Sequence, residues 1–224
     1  MTITIGFDVY GTLIDTAGVT KALGQFAGER AVQFSNLWRE KQLEYSFRRA
    51  LMQNYVHFGF CTRYALDYTC TALGIEISDQ DKEELLAGYK VLPPFGDASE
   101  ALPELKQAGF RLFAFSNGKP EDVASLLENS GISSYFEDVV STDEIKSFKP
   151  NPAVYAHFLR RTGATGKEAW LISGNPFDVI GAISAGMRGA WVKRSAQAIF
   201  DPWEIEPTIT IGSLSELAEG IDRT

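Results

Sequence analysis

Asp8 closes a short apolar run in "TITIGFDVYGTLID", and two places later, where a second carboxylate could be expected, the chain has Tyr10. Taken by itself, an aspartate at a strand end is as readily a turn or cap residue as a nucleophile. Further polar groups stand at what read as strand ends or in loops before helices: Ser116 and Asn117 in "FSNG", Lys149 in "KSFKPN", and Ser173, Asn175 and Asp178 in "SGNPFD". Singly, these are ordinary turn and cap formers, or, for Lys149, a solvated surface cation. In an open α/β sheet, however, the reactive crevice lies outside the carboxyl ends of the strands. Loops that bring such groups to one rim make a candidate active site.

The elements that must position them follow from pattern. Residues 2–7 read as a short buried strand, followed by a turn at Tyr10-Gly11-Thr12. From about Val19 to Tyr89 there is no proline, and "FSNLWREKQLEYSFRRALM" sets Leu37, Leu43, Phe47 and Leu51 near helical spacing, so this stretch reads as an all-helical insert. The consecutive prolines of "VLPPFGD" end it. Beyond them strands and helices alternate ("FRLFAFS", "EDVVS", "AWLIS" and "RGAWVKR" as strands), with glycine at helix ends. That alternation predicts an α/β fold, a doubly wound parallel Rossmann-like sheet interrupted by a helical cap. The boundaries expected are 1–14 with 95–224 for the core and 15–94 for the cap.

With 224 residues, 45% hydrophobic and 22% charged, the chain has globular composition. A formal net charge of −8 disfavours a nucleic-acid partner. No apolar run reaches the roughly 18 residues of a membrane span, and the start lacks a secretory signal pattern, so a soluble cytoplasmic protein is expected. Cys61 and Cys70 fall about two and a half turns apart on one predicted helix, too far for a disulfide. With only His57 and His157 besides, no four-ligand metal site assembles, and none is expected.

"FDVYGTLID", "FSNG", "SFKPNPAVY" and "SGNPFD" resemble the four ordered motifs of the haloacid dehalogenase superfamily, and "LWREKQLEY" resembles the cap segment of its L-2-haloacid dehalogenase branch. The superfamily's magnesium-dependent phosphatases carry acidic residues where this chain has Tyr10 and Asn175. The resemblance therefore implies a metal-independent enzyme with no cofactor. Asp8 would attack C2 of a short (S)-2-haloalkanoic acid, halide would leave, and water would open the aspartyl ester to give the (R)-2-hydroxy acid. Arg39 resembles the residue that meets the halide, Asn117 its helper, and Ser116 the donor to the substrate carboxylate, aided by backbone N–H groups after Asp8. Lys149 would offset the repulsion between two anions, and Asp178 would activate water held by Ser173 and Asn175. Tyr155 would hydrogen-bond within this network, and Thr12 would fix the nucleophile. Tyr10, Leu43, Phe58 and Phe177 resemble the pocket lining, and a homodimer through the cap is implied.

Each role has a plainer alternative. Arg39 could pair with Glu40 or Glu44 along its helix, Tyr155 and Phe58 could be core packing, and Thr12 could be a turn former. Two positions depart from the branch: Glu40 replaces a glutamine, and Gly174 replaces a serine. The rival functions are a metal-independent hydrolase of another 2-substituted short acid, fluoroacetate included, a phosphatase with unusual metal ligands, and an idle scaffold.

Overall fold

A computed structural model of the chain describes residues 2–222. Six parallel strands form one sheet: β1 (Thr4–Phe7), β2 (Arg111–Ser116), β3 (Asp138–Ser141), β4 (Ala169–Ser173), β5 (Arg188–Val192) and β6 (Ile209–Ile211), in spatial order β3-β2-β1-β4-β5-β6. Helices α5 (Gly96–Gln107), α6 (Pro120–Asn129), α7 (Pro152–Thr162) and α8 (Pro176–Ser184) make the crossovers, and α9 (Leu217–Asp222) follows the last strand. The strand order reverses between β1 and β4, so the crevice predicted for such sheets opens beyond Phe7 and Ser173.

β1 is central and buried along its whole length, as its apolar sequence requires of a strand covered on both faces. It begins at Thr4 rather than Thr2, because pairing starts at Thr4 opposite Arg111 and Ala169. A Cβ at Gly6 would lie 2.8 Å from the Phe158 ring of α7, so this strand position has room only for glycine. Gly6→Ala is expected to cost about 1–3 kcal/mol of stability through overpacking. Urea unfolding would read this, and an unchanged midpoint would mean that Phe158 yields without cost.

Between β1 and α5 the chain builds α1 (Ala17–Ala27), α2 (Ala31–Leu51), α3 (Phe58–Leu73) and α4 (Asp79–Gly88). The buried stripe of α2 is Phe34, Trp38, Gln42 and Ser46, every fourth residue. The aliphatic set that signalled a helix lies off that stripe: Leu37, Leu43 and Phe47 are half-buried and Leu51 is 86% exposed. The reason is α3, whose Thr62 carbonyl accepts from the Trp38 indole N–H at 2.8 Å and so turns the Trp38 side inward. The core beneath the insert is continuous with that of the sheet, Phe34, Trp38 and Leu66 clustering with Val9, Leu13 and Ile14. Cys61 and Cys70 are free and buried on α3, and burial pushes the Cys61 thiol up to about 11. Among the described residues, no helix is long and apolar enough to cross a membrane.

Candidate active site

The Asp8 backbone N–H extends the β1 ladder to the Ile172 carbonyl at 2.9 Å, which sets its side chain at the mouth of the crevice. Its two carboxylate oxygens differ. Oδ2 accepts from Thr12 Oγ1 (2.9 Å), Asn175 Nδ2 (2.8 Å) and Ser173 Oγ (3.3 Å), whereas Oδ1 faces Lys149 Nζ at 3.3 Å. Thr12 lies in the turn after β1, and its hydroxyl also accepts from the Gly174 N–H at 2.8 Å, tying the β1 and β4 loops together. Ser173 Oγ in turn accepts from the Asn175 N–H at 3.0 Å.

Lys149 is 1% exposed, and its ammonium donates to Asp178 Oδ2 (2.6 Å), the Phe115 carbonyl (2.9 Å) and Asp8 Oδ1. All three of its protons are thus directed. One cation serves two carboxylates, and Asp178 is fully buried at the start of α8. Burial pushes Asp178 up to about 6, with the Lys149 charge pulling it down and the Asp8 charge pushing it up. Tyr155 OH donates to Asp178 Oδ1 at 2.8 Å, and burial, followed by the Asp178 charge, raises its pKa well above the ordinary value, so it remains a donor.

Arg39 reaches the crevice from α2. Its Nη1 donates to Gln42 Oε1 at 2.6 Å and its Nη2 to Asn175 Oδ1 at 3.4 Å, while Gln42 Nε2 donates to Thr62 Oγ1 at 2.6 Å. The guanidinium is therefore oriented by two helices. The helix-surface alternative does not hold: Glu44 pairs with Lys41 and Arg48, and Glu40 is exposed. Burial lowers the Arg39 pKa, with the Asp8 charge acting the other way, and a guanidinium still stays charged. At the β2 end, Ser116 is buried, and Asn117 Oδ1 accepts from the Lys149 N–H (2.9 Å) and Thr142 Oγ1 (3.2 Å). The amide nitrogen of Asn117 is its remaining polar end.

A cavity of about 640 Å³ lies between insert and sheet, walled at its inner end by Tyr10, Gly11, Arg39 and Asn175. The arrangement offers a buried nucleophilic carboxylate, a fixed ammonium beside it, a second carboxyl near neutrality and a cation on the facing helix.

A profile of the haloacid dehalogenase-like hydrolases matches residues 4–186. An (S)-2-haloacid dehalogenase of Pseudomonas putida is 34% identical over 214 residues, covering 96% of this chain and 94% of its own. The chain belongs to the haloacid dehalogenase-like hydrolases. Haloacetate dehalogenase H-2 of Moraxella sp. (strain B) is 35% identical, with 92% of each chain covered. A solved structure of L-2-haloacid dehalogenase from Xanthobacter autotrophicus with chloropropionic acid covalently bound is 32% identical, with 99% of each chain covered and a TM-score of 0.89. This hydrolase therefore falls in the L-2-haloacid dehalogenase branch.

In this haloacid dehalogenase-like hydrolase the geometry brings together Asp8, Thr12, Arg39, Lys149, Tyr155, Ser173, Asn175 and Asp178. Several details differ from expectation. Ser173 and Asn175, expected to hold water, bond the nucleophile carboxylate itself. Of the backbone N–H groups expected to bind the substrate carboxylate, those of Gly11 and Thr12 are committed within the turn, to the Ile14 and Val9 carbonyls. Tyr10, Arg39 and Phe58 line the cavity, whereas Leu43, Ser116, Asn117 and Phe177 do not, and Asp8 lies behind Asn175, which does. Phe177 packs instead on Phe47 of α2 at 5.1 Å between ring centroids. A Cβ at Gly174 would lie 2.5 Å from the Gly11 carbonyl oxygen, so the absent hydroxyl reflects the close approach of two loops.

Gln42, Tyr89 and the Phe115 carbonyl went unread in the sequence. Gln42 carried a signal, being a polar residue one turn beyond Trp38 on the same helix. Tyr89, edge-on to both Tyr10 and Trp38, follows α4 and carries no local mark. A main-chain carbonyl carries none at all.

Proposed function

We propose that this hydrolase converts a short-chain (S)-2-haloalkanoic acid to the (R)-2-hydroxy acid and halide through an ester on Asp8, without a metal ion. The observation that carries the reading is the asymmetry of the Asp8 carboxylate: three donors hold Oδ2, leaving Oδ1 as the attacking atom beside Lys149. Oδ1 forms a bond to C2 with inversion, and the C–halogen pair leaves with the halide, met by the Arg39 guanidinium and the Asn117 amide. Lys149 offsets the approach of two anions. A water then loses a proton to Asp178 and attacks Cγ of the ester, and as the tetrahedral adduct collapses the former Oδ1 leaves as the hydroxyl of the 2-hydroxy acid, taking up the proton from Asp178, while Asp8 returns to its carboxylate by releasing the water's second proton. Orientation of carboxylate and C2 in line contributes up to roughly 7–11 kcal/mol. The likeness to (S)-2-haloacid and haloacetate dehalogenases, and to a structure holding covalently bound chloropropionic acid, supports the same substrate class. Phosphoryl transfer is disfavoured, since it depends on charge neutralisation that one lysine shared by two carboxylates supplies poorly.

The test is chloride release from L-2-chloropropionate by chelator-treated protein, read beside intact mass during turnover. Chloride together with a transient adduct of one carboxyethyl group is expected. Loss of activity on chelation would overturn the metal-independent reading, and absence of chloride would overturn the haloacid assignment.

The Asp178 pKa sets a pH dependence. As base, Asp178 must be ionised, and in the ester Asp8 has lost the charge that helps push Asp178 up to about 6, so the hydrolysis rate is expected to fall roughly tenfold per pH unit only below an inflection lower than that, and to level off above it. Steady-state turnover from pH 4 to 8 measures this. A profile flat down to pH 4 would remove Asp178 from the role of base.

A further inference from the structure

Arg194 follows β5 and does not line the cavity, yet it touches the loop that holds the nucleophile. Its Nη1 donates to Asp97 Oδ2 of α5 and its Nη2 to the Thr12 carbonyl, both at 2.5 Å. The guanidinium lies 4.0 Å from the centroid of the Phe95 ring, and the Phe95 N–H donates to the Leu13 carbonyl at 2.8 Å. Asp97 Oδ2 also accepts from the Leu214 N–H at 2.8 Å and from Ser213 Oγ at 3.2 Å. One arginine thus ties the loop after β1 to the start of α5 and to the turn after β6.

A guanidinium and a carboxylate that meet freely make two parallel hydrogen bonds. This pair makes one: Asp97 Oδ1 and Arg194 Nε are buried and have no hydrogen-bond partner among the described residues. The other arm of the fork goes to Thr12, and the pair gives up its best mutual geometry for that contact. Thr12 is fully buried, and Arg194 is the one partner of its carbonyl among the described residues. A buried carbonyl left without a donor is costly, so loss of the arginine would turn the peptide after Thr12 toward another one. Such a turn moves the Thr12 hydroxyl, which donates to Asp8 Oδ2 and accepts from the Gly174 N–H.

We infer that Arg194, braced by Asp97, is a positioning residue for the nucleophile: it fixes the Thr12 backbone so that the Thr12 hydroxyl keeps Asp8 Oδ2 bound and leaves Oδ1 free to attack. Its effect reaches the reaction through Thr12 and involves no contact with substrate. This rests on the dehalogenase reading above, in which Oδ1 attacks C2.

Arg194→Met removes the donors and keeps an unbranched side chain. Its kcat for chloride release from (S)-2-chloropropionate is expected to fall about 10–100-fold, because a shift of an ångström at the reacting atom is that costly. KM should stay within about threefold, since the residue lies outside the cavity. The deciding readout is a double-variant cycle with Thr12→Val, which removes the hydroxyl. In that background Arg194→Met should cost less than about threefold more, as both changes act through one hydrogen bond. If Arg194→Met does not fold, Arg194→Lys carries the same measurements: its single ammonium replaces a fork that served two acceptors, and kcat should fall by about tenfold while the circular dichroism spectrum stays that of the wild type. A wild-type kcat in the folded variant, a loss confined to KM, or losses that multiply fully in the double variant would each overturn the inference. No chloride from the wild-type protein would instead overturn the dehalogenase reading itself.

Discussion

Asp8→Asn is expected to abolish both halide release and the covalent adduct, with a loss of at least about 10⁴-fold in kcat. An amide oxygen at the Oδ2 position can still accept from Thr12, Ser173 and Asn175, so the loop between β1 and α1 keeps its shape. The amide nitrogen then occupies the Oδ1 position, where it is no nucleophile and where it faces the Lys149 ammonium as donor against donor. The variant should fold, bind the acid and leave it intact. Single-turnover chloride measurement beside the circular dichroism spectrum tests this. Chloride release near the wild-type rate from a folded variant would assign the displacement to another group, such as a water activated elsewhere.

Asp178→Asn is expected to separate the two steps. Attack by Asp8 on C2 needs no base, so the first turnover should still release chloride and deposit the ester. The second step then lacks its proton acceptor, and steady-state turnover should fall by about 10²–10⁴-fold. The ester should accumulate as a stable adduct of one carboxyethyl group per chain, visible by intact mass and lost after Asp8→Asn. The substitution also leaves Lys149 with Asp8 as its one carboxylate partner, and the acid-side inflection of the pH profile should disappear with the group that causes it. An unmodified protein with no chloride burst would place Asp178 in the first step. A wild-type steady-state rate would remove it from catalysis.

Much of this protein is legible in its sequence because local rules and topology agree. The alternation of apolar strands with glycine-ended helices could fold only as a parallel sheet with crossovers, and the proline pair at Pro93-Pro94 could only end the helical insert. In such a sheet a polar residue directly after an apolar run stands on the reactive rim, which is why Asp8, Ser116 and Ser173 could be singled out by position and residue type. Lys149 is harder to read, since only its surroundings distinguish it from a solvated lysine.

The rest depends on contacts between segments distant in the chain. α2 was legible as a helix, but its inward face was set by α3, and the polar Gln42 and Ser46 are buried where an aliphatic stripe was expected. Leu43 and Phe177 left the expected pocket lining for the same reason, since a helix's rotation about its axis is fixed by what packs on it. The chemical order of a carboxylate, one oxygen saturated and one exposed to a lysine 141 residues away in sequence, arises only when the β1, β4 and β3–α7 loops meet. Sequence by itself determined the architecture and the residue types at the rim, because periodicity and turn chemistry act over a few residues. Tertiary structure alone decided which oxygen of Asp8 faces Lys149, how Asp178 is pushed toward neutrality and how large the cavity is, because charge, burial and volume belong to the assembled fold.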